Sequence, residues 1–496
     1  MTVLAHRTDT VTRDALAVLQ PGFEGTTAPA WLLRRVGEGL ASVGLFGRNV
    51  ASAEQLAVLT AQLRAERDDV LVAIDEEGGD VTRLEVRGGS SFPGNLALGA
   101  VDDTRLTRDV ARELGRRLAE CGVNLNWAPS ADVNSNPDNP VIGVRSFGAD
   151  THLAARHTAA YVEGLQASGV AACTKHFPGH GDTNVDSHHA MPRIDADLDT
   201  LYARELVPFK AAVAAGTKAV MSAHILVPAL DPDRPATLSP QILTGLLRKE
   251  LGYEGLIITD GMEMNAIAGT YGIERGTVLA IAAGADAICV GGGLADEATV
   301  LGLRDALVDA VREGTLPEER LADAAARVRA LAGWARQGRG TTAPGAPQEG
   351  SAPGIGLTAA RRALRVTGTP VPVARPYVAT LAPVANSAVG DETPWGLAAA
   401  LAALVPDTAS GTFPEGAAAA EILAAAGART VVAVVRDAHR HPWMTAALDA
   451  LVAARPDTVV VEMGLPRARP RGAVHIETHG AARVCGQAAA EIIAGA

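Results

Sequence analysis

The feature that most constrains this chain is a regular alternation of short apolar runs and amphipathic stretches over its first 335 residues. Eight runs have the length and composition of buried β-strands. They are Ala15–Leu19, Ala41–Phe46, Val70–Asp75, Gly122–Trp127, Val170–His176, Lys218–His224, Leu256–Asp260 and Ala285–Val290. Amphipathic stretches such as Arg105–Glu120 and Gly276–Ala283 lie between them. Alternating strands and helices predict parallel βα units, and eight units in this length predict a closed (β/α)8 TIM-type barrel. A doubly wound open sheet is the alternative.

A second domain is expected because 496 residues exceed the usual size of one domain. Residues 336–356 are rich in Gly, Pro and Ser without any period, which predicts a linker. Beyond them, three strand-like runs alternate with three Ala-rich helical stretches. The runs are Tyr377–Leu381, Thr430–Arg436 and Thr458–Glu462, and the helical stretches are Leu397–Leu404, Ala417–Ala426 and Thr445–Ala454. We therefore predict the barrel in residues 1–335 and a smaller α/β layered domain with a parallel sheet in residues 357–496.

Charge and cysteine content argue against several classes of protein. The net charge of −12 and the absence of a basic stripe argue against a nucleic-acid or anionic-membrane partner. The first apolar run, Ala15–Leu19, is too short for a signal-peptide core or a membrane span. The four cysteines are far apart and form no CxxC motif, which indicates buried thiols in a reducing compartment. We expect a soluble cytoplasmic protein.

The densest group of titratable side chains follows the fifth apolar run, and we call it the histidine loop (residues 175–188). It begins Lys-His-Phe-Pro-Gly-His-Gly-Asp-Thr and ends with Asp186-Ser187-His188. A carboxylate that orients an imidazole makes a general acid–base near neutral pH, so we expect Asp186 to orient His188. We expect His180 to be only a structural hydrogen-bond donor of the loop. A metal site at these histidines is the alternative, but no HxxxH or HExxH spacing supports it.

A second candidate, Asp260, ends the strand-like run that begins at Leu256 and precedes Gly261. A carboxylate at the carboxyl end of a barrel strand is placed to attack a substrate, and the glycine permits a close approach. The alternative is that Asp260 caps the next helix, a role that aspartate favours.

Further charged side chains stand near the ends of other predicted strands. They are Asp75, Arg83, Arg145 and Lys175. In a closed barrel they lie at one face, where they suit a ligand rich in hydroxyl groups and carbonyl oxygens. A surface salt bridge is the alternative for each residue taken alone. One segment of the second domain, Arg436–Trp443, also follows a predicted strand, and it either faces the barrel or forms a solvated turn.

These residues together carry a resemblance to a known family. The motifs that accompany the histidine loop are Asp75-Glu76-Glu77-Gly78-Gly79 with Arg83, Asn139-Pro140-Val141-Ile142 with Arg145-Ser146-Phe147-Gly148, and Ile258-Thr259-Asp260-Gly261-Met262. With them, about residues 15–335 of the chain resemble glycoside hydrolase family 3, in its β-N-acetylglucosaminidase (NagZ-like) branch of the two-domain type.

The resemblance implies a retaining hydrolase that removes non-reducing terminal N-acetylglucosamine from muropeptides or chito-oligosaccharides through a covalent glycosyl-enzyme. It implies Asp260 as the nucleophile, and His188 as the acid–base with Asp186 as its partner. The residues that it implies for binding the sugar are Asp75, Arg83, Arg145, Lys175 and His176. It implies no cofactor and no metal. It also admits phosphorolysis with inorganic phosphate, since a neutral histidine does not repel that anion. A β-glucosidase and a non-catalytic sugar-binding protein are the remaining alternatives.

Overall fold

Strands and helices alternate along the chain, as the apolar runs predict. The computed structural model describes residues 2–186, 191–339, 354–383 and 392–496, with side chains from residue 10 onward except that of Arg339. The strands are β1 (Leu19–Pro21), β2 (Ser42–Leu45), β3 (Leu71–Ile74), β4 (Leu125–Asn126), β5 (Ala171–Phe177), β6 (Ala219–Ser222), β7 (Leu226–Val227), β8 (Asp231–Pro235), β9 (Leu256–Thr259), β10 (Ile288–Val290), β11 (Arg365–Gly368), β12 (Pro376–Leu381), β13 (Ala409–Phe413), β14 (Thr430–Val435), β15 (Val459–Glu462) and β16 (Val474–Glu477).

The helices are α1 (Thr2–Ala17), α2 (Ala30–Glu38), α3 (Ala53–Glu66), α4 (Asn95–Val101), α5 (Thr104–Glu120), α6 (Thr151–Ala167), α7 (Leu198–Thr200), α8 (Leu206–Ala214), α9 (Asn265–Tyr271), α10 (Ile273–Ala283), α11 (Glu297–Arg312), α12 (Glu318–Arg339), α13 (Ile355–Ala363), α14 (Ala398–Leu404), α15 (Ala419–Ala426), α16 (Pro442–Ala454) and α17 (Arg483–Ala494). Two further segments, Leu201–Glu205 and Gln241–Glu250, are π-helical. Within the described residues, we find no helix with the length and hydropathy needed to cross a bilayer.

Six of the first strands form one parallel sheet in the order β2-β3-β4-β5-β6-β9. The residues of these strands are buried, which is typical of a parallel sheet whose faces are covered. Strands β1 and β10 form a separate parallel pair, in which Leu19 lies opposite Ile288. A single parallel bridge joins Ile258 of β9 to Ala287, the residue before β10. This part of the chain is therefore an α/β fold with a curled parallel sheet.

Two details of this region differ from the prediction. Most of the first apolar run is helical, because Ala15–Ala17 end α1 and β1 begins only at Leu19. The hairpin of β7 and β8 was not predicted. Three of the five residues of β8 are exposed, and two of these are charged, so this strand lacks the apolar run by which buried strands are found.

The chain divides into two units, each built from separate segments. The first unit comprises Met1–Glu76, Thr107–Pro140 and Ala149–Ser351, and the second unit comprises Glu77–Leu106, Val141–Gly148 and Ala352–Ala496. Two segments that precede residue 335 are thus part of the second unit. The predicted domain boundaries stay a prediction, because residues 340–353, most of the expected linker, lie outside the described residues.

The second unit contains a six-stranded sheet in the order β11-β16-β15-β14-β12-β13. Its strands are parallel except β11, which pairs antiparallel with β16. Alternate residues of β14 enter two apolar clusters, Val432 and Val434 in one and Val431 and Ala433 in the other. Because neighbouring side chains of a strand point to opposite faces, this sheet is covered on both faces. Strands β11, β13 and β16 were not predicted.

Candidate active site

Two predicted site residues of the first unit form an ion pair. Asp75 follows β3 directly, and Lys175 lies in β5. The Nζ atom of Lys175 lies 2.5 Å from Oδ1 of Asp75. The lysine side chain is only 2% exposed and the aspartate side chain 21% exposed. A buried ammonium group is costly without an opposite charge, and Asp75 supplies that charge while its carboxylate stays the more exposed of the two.

His176, the residue after Lys175, is fixed by a carboxylate that the sequence analysis did not identify. Oδ2 of Asp132 lies 2.7 Å from Nδ1 of His176, and both side chains are buried. Oδ1 of Asp132 accepts the backbone N–H groups of His176 at 3.2 Å and His180 at 2.7 Å. Burial raises the pKa of Asp132, but the attraction of His176 and these hydrogen bonds outweigh burial and hold the pKa at about 2. Asp132 is therefore ionised, and it sets the orientation of the His176 ring.

His180 is hydrogen-bonded within the histidine loop. Its Nδ1 lies 2.9 Å from Oγ1 of Thr183, and its carbonyl oxygen accepts the side-chain N–H of Asn139 at 2.8 Å. Burial, with the nearby charge of His176, lowers the pKa of His180 to about 4. His180 is therefore neutral at pH 7, and its contacts are those of a structural residue.

A π-helical turn packs against the same loop and contributes a second group that the sequence analysis missed. Arg204 donates from Nη2 to Oδ2 of Asp182 and from Nε to Oε1 of Glu205, both at 2.6 Å. Burial raises the pKa of Glu205 to about 7, despite the attraction of Arg204. Gly179 packs closely against Glu205, since a Cβ atom at residue 179 would be 2.8 Å from Oε2 of Glu205. Single π-helical turns are frequent at functional sites.

Asp260 follows β9 and is half-buried. Its backbone N–H donates to the carbonyl of Ser222, and its Oδ1 accepts the N–H of Gly261 at 2.8 Å. It is not a helix cap, because the next helix, α9, begins at Asn265 after Met264. His224 lies beside it, with Nε2 2.9 Å from the carbonyl oxygen of Gly261. Asp260 is therefore held at a strand end by contacts that do not depend on a following helix.

The thiol of Cys173 is affected by the charges of Asp75, Lys175 and Asp260. Cys173 is fully buried in β5, and burial is the main cause that raises the pKa of its thiol. The ammonium group of Lys175 lowers that pKa, while the carboxylates of Asp75 and Asp260 raise it. Because charge–charge interactions weaken with distance, all three charges lie in the neighbourhood of one thiol. Asp75, Lys175 and Asp260 also lie at or near the carboxyl ends of strands of one parallel sheet.

The other predicted site residues are placed differently. Arg145 and Arg83 belong to the second unit. Arg145 is buried and donates to both carboxylate oxygens of Glu77, at 2.7 Å and 3.1 Å, while Arg83 is half-buried. Asp186 is buried in the first unit. His188 lies outside the described residues, so the predicted pair of Asp186 and His188 stays a prediction.

Among residues 10–186, 191–338, 354–383 and 392–496, no three His, Cys, Asp or Glu side chains are grouped in a way that would hold a metal ion.

Comparison with known proteins places this geometry in a family. Residues 30–331 match the model of the glycosyl hydrolase family 3 N-terminal domain. The chain is 37% identical over 312 residues to β-hexosaminidase A of Pseudoalteromonas piscicida, an alignment that covers 58% of this chain and 52% of that protein. The chain thus spans about half the length of that relative.

Two solved structures extend the similarity. A glycoside hydrolase family 3 β-N-acetylglucosaminidase from Paenibacillus sp. str. FPU-7 is 34% identical and superposes with a TM-score of 0.87, covering 98% of this chain and 96% of that chain. NagZ from Neisseria gonorrhoeae, solved with N-trifluoroacetyl-D-glucosamine, is 31% identical with a TM-score of 0.54 over 63% of this chain and 89% of that chain. With a family model that matches most of its length, this chain belongs to glycosyl hydrolase family 3.

Proposed function

We propose that this protein is a retaining exo-β-N-acetylglucosaminidase that removes non-reducing terminal N-acetylglucosamine from muropeptides or chito-oligosaccharides. The observation that carries the proposal is the position of Asp260, at the end of β9 and near the ion pair of Asp75 and Lys175. A carboxylate at a strand end beside hydroxyl-binding charges is the arrangement that a glycosidic nucleophile needs. The similarity to the Paenibacillus β-N-acetylglucosaminidase over nearly the full length of both chains supports the substrate class.

The fold that we propose for this activity is a closed (β/α)8 barrel followed by a smaller α/β layered domain in residues 357–496. The bridge from Ile258 to Ala287 and the pairing of β1 with β10 support closure, because they extend the six-stranded sheet past β9. The contact of Ser42 Oγ with the carbonyl oxygen of Leu19, 3.2 Å long, supports closure on the other side. In such a barrel the active site lies at the carboxyl ends of the strands.

In the proposed mechanism, Asp260 attacks the anomeric carbon while the bond from that carbon to the leaving oxygen breaks. His188 donates its proton to the leaving oxygen, and the product of this step is a glycosyl ester of Asp260. His188 then takes a proton from water, which attacks the anomeric carbon and releases the carboxylate. The second group of a retaining pair is usually a carboxylate ~5–5.5 Å from the nucleophile. A histidine without its extra proton is neutral, whereas a deprotonated carboxylate is negative, so His188 does not repel the Asp260 carboxylate.

The remaining residues have binding and orienting roles in this proposal. Asp75 accepts hydrogen bonds from sugar hydroxyls, Lys175 donates to hydroxyl or N-acetyl oxygens, and Nε2 of His176, the ring nitrogen that does not contact Asp132, hydrogen-bonds to a sugar hydroxyl. Asp186 orients His188. The resemblance also assigns Arg83 and Arg145 to the sugar, and the buried carboxylate of Glu77 supports a fixed position for Arg145.

We also propose a cytoplasmic location. All four cysteines are free and buried. A reducing compartment keeps cysteine thiols unpaired.

The proposal is tested by the turnover of 4-nitrophenyl β-N-acetylglucosaminide with and without inorganic phosphate, with the sugar product identified. We expect free N-acetylglucosamine at the same rate in both conditions. A sugar 1-phosphate that forms only with phosphate would identify a phosphorylase instead. Turnover of the matching β-glucoside alone would identify a β-glucosidase, and no turnover of either glycoside would contradict the proposal.

Two variants separate the assigned roles. Asp260→Asn removes the nucleophile, so we expect it to abolish turnover of every glycoside. His188→Ala removes only the proton donor, so we expect a large loss with poor leaving groups and a small loss with 4-nitrophenolate, which leaves without protonation. His189→Ala is the matched control for a neighbouring imidazole. Equal losses of His188→Ala on both kinds of leaving group would contradict the acid assignment.

A further inference from the structure

We propose that Arg436 and Asp80 form a positioning pair that holds the Arg83 segment (residues 77–92) and thereby aligns Arg83 for the sugar. The inference rests on the proposed function, because that function gives Arg83 a ligand. It concerns the second unit alone, to which all of these residues belong. It also gives a role to Arg436, the first residue of a segment whose purpose the family resemblance leaves open.

The contact between the two residues is a buried ion pair. The Nη2 atom of Arg436 lies 2.5 Å from Oδ2 of Asp80, and the two side chains are 11% and 1% exposed. The other oxygen of Asp80 accepts the backbone N–H of Ala481 at 2.7 Å. Arg436 follows β14, and Ala481 lies between β16 and α17. The loops that follow β14 and β16 therefore both bind the carboxylate of Asp80.

Asp80 lies in a turn whose shape leaves little freedom. The N–H of Glu77 donates to the carbonyl of Val81 at 3.1 Å, and the N–H of Gly79 donates to the carbonyl of Phe92 at 3.0 Å. Gly79 has a φ of +69°, and a Cβ atom there would lie 2.4 Å from Cα of Gly94. Since the turn is closed on itself and packed against Gly94, a displacement of Asp80 moves the turn as a whole.

The turn connects Asp80 to both cations that the proposed function assigns to the sugar. Arg83 lies two residues after Val81, where the turn ends. Glu77, the first residue of the turn, accepts hydrogen bonds of 2.7 Å and 3.1 Å from Arg145. A second anchor follows Arg83, where Nε of Arg483 donates to the carbonyl of Gly89 at 3.2 Å. Arg83 thus lies between two attachments to other parts of the second unit, Asp80 to the loops after β14 and β16 and Gly89 to the start of α17, and the one with a buried charge is Asp80.

Segment 436–441 is consistent with this role. These six residues are buried or half-buried, while Pro442, the next residue of the predicted segment Arg436–Trp443, is exposed. A buried carboxylate that loses its charged partner is left uncompensated, and it then either takes up a proton, which breaks its contacts as an anion, or moves with the backbone toward water. Removal of Arg436 therefore releases the turn at Asp80, and Arg83 and Arg145 lose their alignment.

The variant that tests the inference is Arg436→Met, which keeps the length of the side chain and removes its charge. The matched control is Arg429→Met. Arg429 precedes β14 as Arg436 follows it, and it pairs with Asp407, whose side chain is 54% exposed. Thermal unfolding identifies a variant that does not fold. If Arg436→Met does not fold, Arg436→Lys, which keeps the charge, is used in its place. The same changes in kinetics and exchange are then expected, with smaller size.

Kinetics of 4-nitrophenyl β-N-acetylglucosaminide hydrolysis give the first readout. We expect Arg436→Met to lower kcat/KM by about 10- to 100-fold, the loss that a small misplacement of a binding group produces. In an Arg83→Met background the same substitution should have a smaller effect, since only the alignment of Arg145 is then left to lose. Arg429→Met should leave kcat/KM unchanged in both backgrounds. A loss of equal size in both backgrounds, or no loss in the wild-type background, would overturn the inference.

Hydrogen exchange gives a readout that does not depend on activity. We expect Arg436→Met to accelerate amide exchange in residues 77–92, and Arg429→Met to leave it unchanged. An inactive wild-type protein would overturn the proposed function. Unchanged exchange in residues 77–92 of Arg436→Met would overturn this inference, so the two failures are distinguishable.

Discussion

The Asp132 carboxylate and the His176 imidazole are joined by a contact of 2.7 Å between Oδ2 and Nδ1, and both side chains are buried. The substitution Asp132→Asn keeps the shape of the side chain but removes its charge and can present an N–H group to the ring. We expect kcat/KM to fall by about 10- to 100-fold, the usual effect of losing a partner that fixes the orientation of a functional histidine. Asp138→Asn, at an exposed position of the same loop, should have no effect. Wild-type activity in Asp132→Asn would show that the orientation of His176 does not matter for turnover.

The buried carboxyl of Glu205 predicts a specific dependence of stability on pH. Its pKa rises from the ordinary value of 4.5 to about 7 through burial. Below pH 4.5 the group is protonated in the folded and the unfolded protein. Above pH 4.5 Glu205 ionises in the unfolded chain but stays protonated in the folded protein, which favours unfolding. The free energy of unfolding therefore falls until the pH has risen through about 7, where folded Glu205 also ionises. The loss amounts to about 3 kcal/mol at pH 8.

The measurement is the free energy of unfolding of the wild type and Glu205→Gln in urea at pH 5 and pH 8. Glutamine stays neutral and still accepts from Arg204, so the variant should gain about 2.5 kcal/mol relative to the wild type between these pH values, since part of the loss is already present at pH 5. Glu163→Gln, on an exposed ion pair with Arg108, is the control and should show no such change. A difference between Glu205→Gln and wild type that is the same at both pH values would contradict a raised pKa.

Most strands were predictable because a buried parallel strand needs an uninterrupted apolar run. Each of the eight runs contains or overlaps a strand, from β2 within Ala41–Phe46 to β10 within Ala285–Val290. The strands that were missed lack this signal. All four residues of β11 are exposed, and the burial of β13 alternates between half-buried and exposed. Strands at a sheet edge are stabilised by backbone pairing, which leaves little trace in the choice of side chains.

The site could be predicted only where its residues follow strands in recognisable motifs. Asp75 follows β3 and Lys175 lies in the second half of β5, the next strand but one in the sheet. Asp132 was missed because a single carboxylate in a loop has the same pattern as a solvated residue. Glu205 was missed because its burial depends on the contact with Gly179, which is distant in sequence. Partners separated by tens or hundreds of residues are determined by packing and not by local pattern.

Gly181 in the histidine loop has no space for a side chain. A Cβ atom there would lie 1.7 Å from the carbonyl oxygen of Val133, in the loop that carries Asp132. Gly181→Ala must therefore push the two loops apart, and we expect a loss of at least about 10-fold in kcat/KM together with a lower melting temperature. Gly333→Ala is the control, because Gly333 lies in α12 with nothing within 4 Å of its Cβ position. That substitution should raise stability by about 1 kcal/mol and leave activity unchanged. Normal activity of Gly181→Ala would mean that the loops tolerate separation.

The ion pair of Asp75 and Lys175 predicts strongly non-additive mutations. Lys175→Met leaves Asp75 without its cation, and Asp75→Asn leaves a lysine that is 2% exposed without its anion. Each single variant therefore loses a sugar contact and also leaves an uncompensated charge, and we expect kcat/KM to fall by about 100-fold or more.

The double variant Asp75→Asn/Lys175→Met has no unpaired charge, so it should be more stable than Lys175→Met or Asp75→Asn alone. Its kcat/KM should lie well above the product of the two single effects, because the second substitution removes the charge that the first one left unpaired. Unfolding free energies and kinetics of the four proteins form a double-mutant cycle that measures this coupling. Additive effects on stability would show that the 2.5 Å contact does not couple the two residues, and the roles assigned to them would then be independent.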